Sequence, residues 1–219
     1  MLKFNGVQVF ALPIGPPLAT FEWEQYYAKL PPVEQTKILQ YQQWQDRLRA
    51  LLGSIISRWA IQHLTATQDV QIVRNEHGRP YAVGNDDWNG DFNLSHSGDW
   101  LVMALTKNGH VGIDVEEIKP VTKDVMHYAM TENEIAGIDE IVEPLRLKKF
   151  YELWTLKEAL FKTTLCPHPS PHLIDTTDEQ VFQSISTQLI YLDERHPVSI
   201  CWDCAPHINL TVLHRHQLL

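Results

Sequence analysis

Apolar positions along the chain recur with two different periods, and the changes of period divide it into blocks. Over residues 33–64 they repeat at spacings of three and four, through Tyr41, Trp44, Leu48, Leu51, Leu52, Ile55 and Trp59. That spacing predicts a helix with one stripe on a core, weakened at Gly53 and carrying Lys37, Arg47 and Arg49 among its polar positions. From Val70 to Glu117 the period falls to two, which predicts strands. VQIVR and GRPYAV flank a turn at NEHG, and beyond the polar loop GNDDWNG come DFNLSHS, LVMALT and VGIDVEE. The Asn108–Gly109 pair between the last two runs is a hairpin signal, so VGIDVEE is expected to pair with LVMALT. Helical spacing returns at TENEIAGIDE, where Thr131 and Glu134 fit a capping box, and again over residues 144–163, ahead of the proline-rich CPHPSPH. From Gln180 to about Leu213 the runs alternate once more. There is no clear internal repeat, low-complexity tract or linker.

Composition narrows the function classes. The 219 residues suffice for one large domain or two compact halves, and 44% hydrophobic with 21% charged residues is ordinary for a folded protein. No stretch approaches the roughly 18 apolar residues of a membrane span. MLKFNGVQVFALPIGPPL lacks a basic segment leading into a long apolar run, so a soluble cytoplasmic protein is expected. A net charge of −9 argues against general nucleic-acid binding, which depends on neutralising phosphates with Lys and Arg. An anionic ligand would have to be met by a local basic cluster. Three cysteines do not suggest a disulfide framework, and the single CWDC spacing of Cys201 and Cys204 is weak evidence for zinc.

The candidate chemistry centres on VGIDVEE. Val111, Ile113 and Val115 alternate with Gly112, Asp114 and Glu116, a strand pattern with one apolar and one acidic face. Two carboxylates two residues apart share a face at roughly 6–7 Å, where each tends to raise the other's pKa. Carboxylates whose remaining positions are filled by water and phosphate oxygens are how proteins hold Mg²⁺, and a metal would remove that repulsion. Gly112 leaves room on the same face for a ligand or another chain, and Glu132 follows as a third acid the fold can bring near. In KKFYELWTLKEALFKTT, Phe150, Leu153, Trp154, Leu160 and Phe161 form an apolar stripe. Lys157 falls near its centre, where it must snorkel or reach an anion, while Glu152, Thr155 and Ala159 point away. Glu158 and Lys162 sit at the border, where a plain i, i+4 pair would contribute only a few tenths of a kcal/mol. Ser95 and His96 are adjacent on a strand, so they face opposite ways and form no nucleophile–base dyad; phosphate or base recognition suits them better.

FNLSHS, VGIDVEE and WTLKEALFK, in this order and spacing, resemble the signature motifs of Sfp-type 4′-phosphopantetheinyl transferases. The likeness extends upstream to DRLRALLG and GRP, covering about residues 37–162; the final third matches only in being strand-rich. The resemblance implies an α+β fold of two similar halves related by a pseudo-twofold, residues 1–110 and 111–219, with coenzyme A in the cleft between them. It implies transfer of the phosphopantetheine arm of coenzyme A to a serine of an apo acyl or peptidyl carrier protein, releasing adenosine 3′,5′-bisphosphate (holo-acyl-carrier-protein synthase activity). Asp114, Glu116 and Glu132 would hold Mg²⁺, with Glu134 a rival for the third place. Glu158 would be the general base, with Lys157 and Lys162 near the phosphates. Arg49, Ser95 and His96 would contact nucleotide phosphates, Arg79 and Pro80 would border the adenine, and Lys37 matches a basic position of the first helix. A monomer is expected, with no nucleic-acid or membrane partner. Two other readings use the same residues: an Mg²⁺-dependent pyrophosphohydrolase of coenzyme A or nucleotides, and a non-catalytic carrier-protein-binding module.

Overall fold

A computed structural model of the chain describes residues 6–65, 70–76, 78–83, 90–204 and 207–219. The loop at 84–89 and His77 of the NEHG turn lie outside the described residues. In chain order the elements are β1 (Val7–Pro13), α1 (Thr20–Tyr27), α2 (Pro32–Leu39), α3 (Trp44–Thr65), β2 (Gln71–Arg74), β3 (Pro80–Val83), β4 (Asp91–Ser97), β5 (Trp100–Thr106), β6 (Val111–Val115), α4 (Lys123–Ala129), α5 (Glu132–Asp139), α6 (Leu145–Lys162), β7 (Ser186–Tyr191), β8 (Pro197–Trp202) and β9 (Ile208–Val212). The fold is α+β. One sheet has the order β4-β5-β1-β9, a second β6-β8-β7, and β2-β3 form a separate hairpin.

Strand alternation explains how the two sheets lie. The even positions Phe10 and Leu12 of β1, with Leu101, Met103 and Leu105 of β5, join Leu48, Leu51, Leu52 and Ile56 of α3 in one buried cluster. The opposite faces, Val7, Val9 and Ala11 with Val102 and Ala104, pack on Val111, Ile113 and Val115 of β6 and Val198, Ile200 and Trp202 of β8. The remaining face of β6 and β8 meets α6, where Thr155 Oγ1 and Ser199 Oγ lie 2.9 Å apart. The order is thus helix, sheet, sheet, helix, with every residue of β6 buried. Residues 208–219 return to the first layer: β9 runs parallel to β1, and Leu213 and Leu218 enter the α3 cluster.

Four expectations are corrected here. The pattern over 33–64 is two helices, broken at residues 40–43, where Arg47 Nε donates to the Tyr41 carbonyl at 2.6 Å. Tyr41 and Trp44 lie at that break and are nearly half exposed rather than part of the buried stripe. VGIDVEE does not pair with LVMALT: both edges of β5 are taken, by β1 and β4, so β6 turns away at Gly109 (φ +75°) and pairs with β8. The room at Gly112 is filled by the chain itself, since a Cβ there would collide with the Ala159 carbonyl and come within 2.9 Å of Thr163 N. Thr155 and Ala159 do not point outward; both are fully buried against that sheet. The capping box of Thr131 and Glu134 and the helix over 144–163 form as expected.

Candidate active site

The site begins with β6, an edge strand that has no backbone partner on one side among the described residues. An exposed strand edge leaves N–H groups unpaired, and β4 satisfies those of β6 with side chains. Asp91 Oδ2 accepts from Val111 N (2.9 Å), Asn93 Oδ1 from Ile113 N (3.1 Å) and Ser97 Oγ from Glu117 N (3.0 Å). Alternate residues of a strand share a face, so DFNLSHS turns Asp91, Asn93, Ser95 and Ser97 toward β6 and Phe92 toward the α3 core. The ladder holds the two acids as well: Ser95 Oγ donates to Asp114 Oδ1 (2.7 Å) and Ser97 Oγ to Glu116 Oε2 (2.8 Å). Asn93 and Ser97 were not singled out from sequence. Their signal was the period-two polar series in a strand flanked by apolar runs.

From the other side, α6 brings Glu158 and Lys162 to the same place. Lys162 Nζ donates to Asp114 Oδ1 at 2.6 Å and lies 3.3 Å from Ser95 Oγ. Burial pushes the Asp114 carboxyl up, against the pull of Lys162 and Ser95. Glu116 is raised by burial and by the charge of Asp114, even though Ser97 and the Trp154 indole bond to it. Glu158 is raised by burial and, with Lys162 opposing, by both Asp114 and Glu116. Asp114, Glu116 and Glu158 therefore share one desolvated neighbourhood with Lys162. Asp114 Oδ2 is buried and has no hydrogen-bond partner among the described residues. An unsatisfied carboxylate oxygen beside two further acids suits a hard divalent cation, which takes oxygen ligands and keeps several waters.

No hydrogen bond or ion pair joins Glu132, expected as the third acid at the metal, to Asp114 or Glu116 among the described residues. Glu132 is exposed on the first turn of α5, and among the described residues no three His, Cys, Asp or Glu side chains form a ready-made metal cage. Glu158 is the third carboxylate beside Asp114 and Glu116. Its rival Glu134 is fully engaged elsewhere: its oxygens accept from Thr131 N (2.8 Å), Thr176 N (2.9 Å) and Thr176 Oγ1 (2.6 Å), and from Lys157 Nζ. Lys157 is consequently not a cleft residue. Its side chain is completely buried in that ion pair, so the anion it reaches belongs to the protein.

The remaining cations divide between the cleft and the frame. Arg49 Nη2 donates to the Gly98 carbonyl at 2.7 Å and Nη1 pairs with Asp46 at 3.0 Å, while its buried Nε has no partner among the described residues. His96 faces this side, away from Ser95; desolvation and the Arg49 charge hold its imidazole below the ordinary value. Arg79 ties three elements together, bonding both oxygens of Asp91 (2.8 and 2.6 Å), the Val111 carbonyl (3.1 Å) and the Lys162 carbonyl. Pro80 opens β3 beside it. Lys37 is exposed on α2. Cys166, Cys201 and Cys204 are free thiols.

Two family models match the chain. One, described as 4′-phosphopantetheinyl transferase, N-terminal, covers residues 17–108; the other, the 4′-phosphopantetheinyl transferase superfamily, covers 110–207. The chain is 32% identical over 131 residues to the 4′-phosphopantetheinyl transferase gsp of Aneurinibacillus migulanus, 59% of this chain and 53% of that protein. It is 26% identical to the 4′-phosphopantetheinyl transferase Sfp of Bacillus subtilis (strain 168), over 71% of this chain and 69% of the relative. To the 4′-phosphopantetheinyl transferase psf-1 of Bacillus pumilus it is 36% identical, over 54% and 51%. The match thus spans about half the length of the first and third of these relatives.

Proposed function

The chain belongs to the 4′-phosphopantetheinyl transferase superfamily, and from that premise we propose that it transfers the phosphopantetheine arm of coenzyme A to a serine of an apo carrier protein. The observation that carries the reading is the meeting of Asp114, Glu116, Glu158 and Lys162 from two different elements, with one Asp114 oxygen left unpartnered among the described residues. Coenzyme A lies in a cleft between two halves related by a pseudo-twofold, in a protein that works as a cytoplasmic monomer.

Phosphoryl transfer asks a protein chiefly for positioning and neutralisation of charge. Arg49 and His96 face the nucleotide phosphates, with Lys37 on the rim. Asp114 and Glu116 would hold Mg²⁺, which would supply neutralisation of charge on the pyrophosphate. Lys162 offsets the charge of the acids and faces the phosphate undergoing attack. The carrier serine Oγ bonds to the β-phosphorus as the pyrophosphate bridge breaks, and adenosine 3′,5′-bisphosphate leaves. Glu158 accepts the serine proton directly or through one water; its raised pKa brings it nearer to neutral pH, where a general base is most effective. Lys157 acts behind the cleft, holding α5 against α6 through Glu134.

The test is incubation with coenzyme A, Mg²⁺ and a panel of apo acyl and peptidyl carrier proteins, followed by intact-mass analysis. One carrier is expected to gain a single phosphopantetheine arm. Release of 4′-phosphopantetheine with no carrier modified would establish a pyrophosphohydrolase instead.

A further inference from the structure

The turn Ser97–Gly98–Asp99–Trp100 joins β4 to β5, and each of its residues is fastened to a different part of the molecule. Ser97 Oγ bonds Glu116 Oε2 (2.8 Å) and Glu117 N (3.0 Å), beyond the end of β6. The Gly98 carbonyl accepts from Arg49 Nη2 of α3 (2.7 Å). The Asp99 carbonyl accepts from Ile14 N after β1 (2.8 Å). Trp100 Nε1 donates to Asp193 Oδ2 (2.8 Å) in the turn between β7 and β8.

That last turn holds a histidine the mechanism does not use. His196 is 1% exposed, and its Nδ1 lies 2.7 and 2.9 Å from the two oxygens of Asp193. Its Nε2 is buried with no hydrogen-bond partner among the described residues and abuts Gly98. A Cβ on Gly98 would come within 2.5 Å of His196 Nε2 and 2.7 Å of Glu117 Oε2, and Gly98 has φ +52°. The imidazole is therefore a rigid stop against a residue that has no side chain to yield. Burial raises the Asp193 carboxyl, but bonds from His196, Trp100 and the Arg195 backbone outweigh it and bring it down to about 2.

We propose that His196, oriented by Asp193, is a positioning residue: it sets the β4–β5 turn from the second half of the chain. Through Gly98 and Ser97 it fixes Arg49 toward the phosphates of coenzyme A and Glu116 toward the metal. It touches neither, and it links the two sides of the cleft so that loosening one loosens the other. This rests on the reading of the cleft given above.

The test compares His196→Ala, Trp100→Phe and Gly98→Ala with wild type. Coenzyme A affinity is measured by calorimetry in EDTA, and half-saturation by Mg²⁺ and KM for the apo carrier are measured in steady state. Dissociation constants for coenzyme A about tenfold or more above wild type are expected for His196→Ala, with a rise in Mg²⁺ half-saturation and little change in KM for the carrier. A merely structural histidine would lower the melting temperature and leave the affinity of the folded protein unchanged. Variants that melt cooperatively and bind coenzyme A within twofold of wild type overturn the proposal. If His196→Ala does not fold, Trp100→Phe, which loses the Asp193 bond and trims the ring, and Gly98→Ala decide by the same criterion. Wild-type protein that binds no coenzyme A overturns the reading of the cleft instead.

Discussion

Replacing Glu158 by Gln separates two roles that a lone sequence pattern leaves equal. As a partner of Lys162 at i, i+4, Glu158 would contribute a few tenths of a kcal/mol and little rate. In the structure Lys162 already bonds Asp114 and lies near Ser95, so that pair has little left to lose. Burial and the charges of Asp114 and Glu116 raise the Glu158 carboxyl. A raised folded-state pKa means that the native protein binds this proton more tightly than the unfolded chain. Stability is then greatest below the ordinary carboxylate range and falls as pH climbs toward the raised value, by about 1.4 kcal/mol for each pH unit that separates the folded from the unfolded titration. Gln carries no such cost. The variant is therefore expected to melt higher than wild type at pH 8 without metal, with the gap closing as the pH is lowered toward the ordinary carboxylate range.

The same substitution removes the proposed proton acceptor. General-base catalysis contributes typically about 10²–10⁴-fold, equivalent to roughly 3–5 kcal/mol of barrier. Single-turnover transfer from bound coenzyme A to a cognate apo carrier isolates this step from product release. The expected result is a slower, more stable protein with near-normal coenzyme A affinity. Transfer within about threefold of wild type would refute general-base catalysis by Glu158, and a lower melting point at pH 8 would refute the electrostatic account.

Three further outcomes follow from the same geometry. Arg49→Ala is expected to weaken coenzyme A binding roughly ten- to a hundredfold, the worth of one charge-assisted contact, while Arg47→Ala, whose guanidinium serves the Tyr41 carbonyl, should not; calorimetry decides. Asp114→Ala and Glu116→Ala are expected to abolish Mg²⁺-dependent transfer and, in calorimetry with coenzyme A present, the metal binding itself, while circular dichroism stays native. Lys157→Met leaves Glu134 charged and buried, so denaturant unfolding should show a loss of about 3–5 kcal/mol, restored in part by adding Glu134→Gln, with coenzyme A affinity of the folded protein little changed.

The local grammar of this chain was legible from its sequence wherever one physical signal decided the outcome. The capping box at Thr131 and Glu134 and the two-residue period of DFNLSHS and VGIDVEE needed only short-range rules. What escaped was settled by competition between elements. Asn108–Gly109 makes its turn, but β5 had no free edge to offer, so the hairpin never closes. Gly112 marks a close approach, and what approaches is the backbone of α6. On α6 a single apolar stripe could not be read correctly, because sheet, α5 and the segment around Ile174 surround it. Thr155 and Ala159 are buried for that reason. Lys157 was bound to seek an anion, but its spacing from Glu134 in sequence says nothing of their meeting in space.

The enclosure of β6 explains why the acids lie where they do. A solvated pair two residues apart would repel only weakly, since water screens exposed charges. Asp114 instead sits on a strand buried on both faces, with its free edge sealed by Asp91 and Asn93 and the chain just past it held by Ser97. Glu116 lies just past that strand, bonded to Ser97. Seal and acids come from one alternation: the positions of β4 that satisfy backbone N–H groups are interleaved along the same face with Ser95, which binds Asp114. The fold thus raises the energy of the carboxylates in the absence of a counter-ion. Among the described residues, Lys162 balances Asp114, Glu116 and Glu158 together. Desolvating like charges costs stability that binding of a divalent cation or a proton can recover. On the proposed reading, a chain with net charge −9 would not need to attract coenzyme A by its overall field, because a few oriented cations and a metal held by the buried acids would act at short range where the dielectric is low.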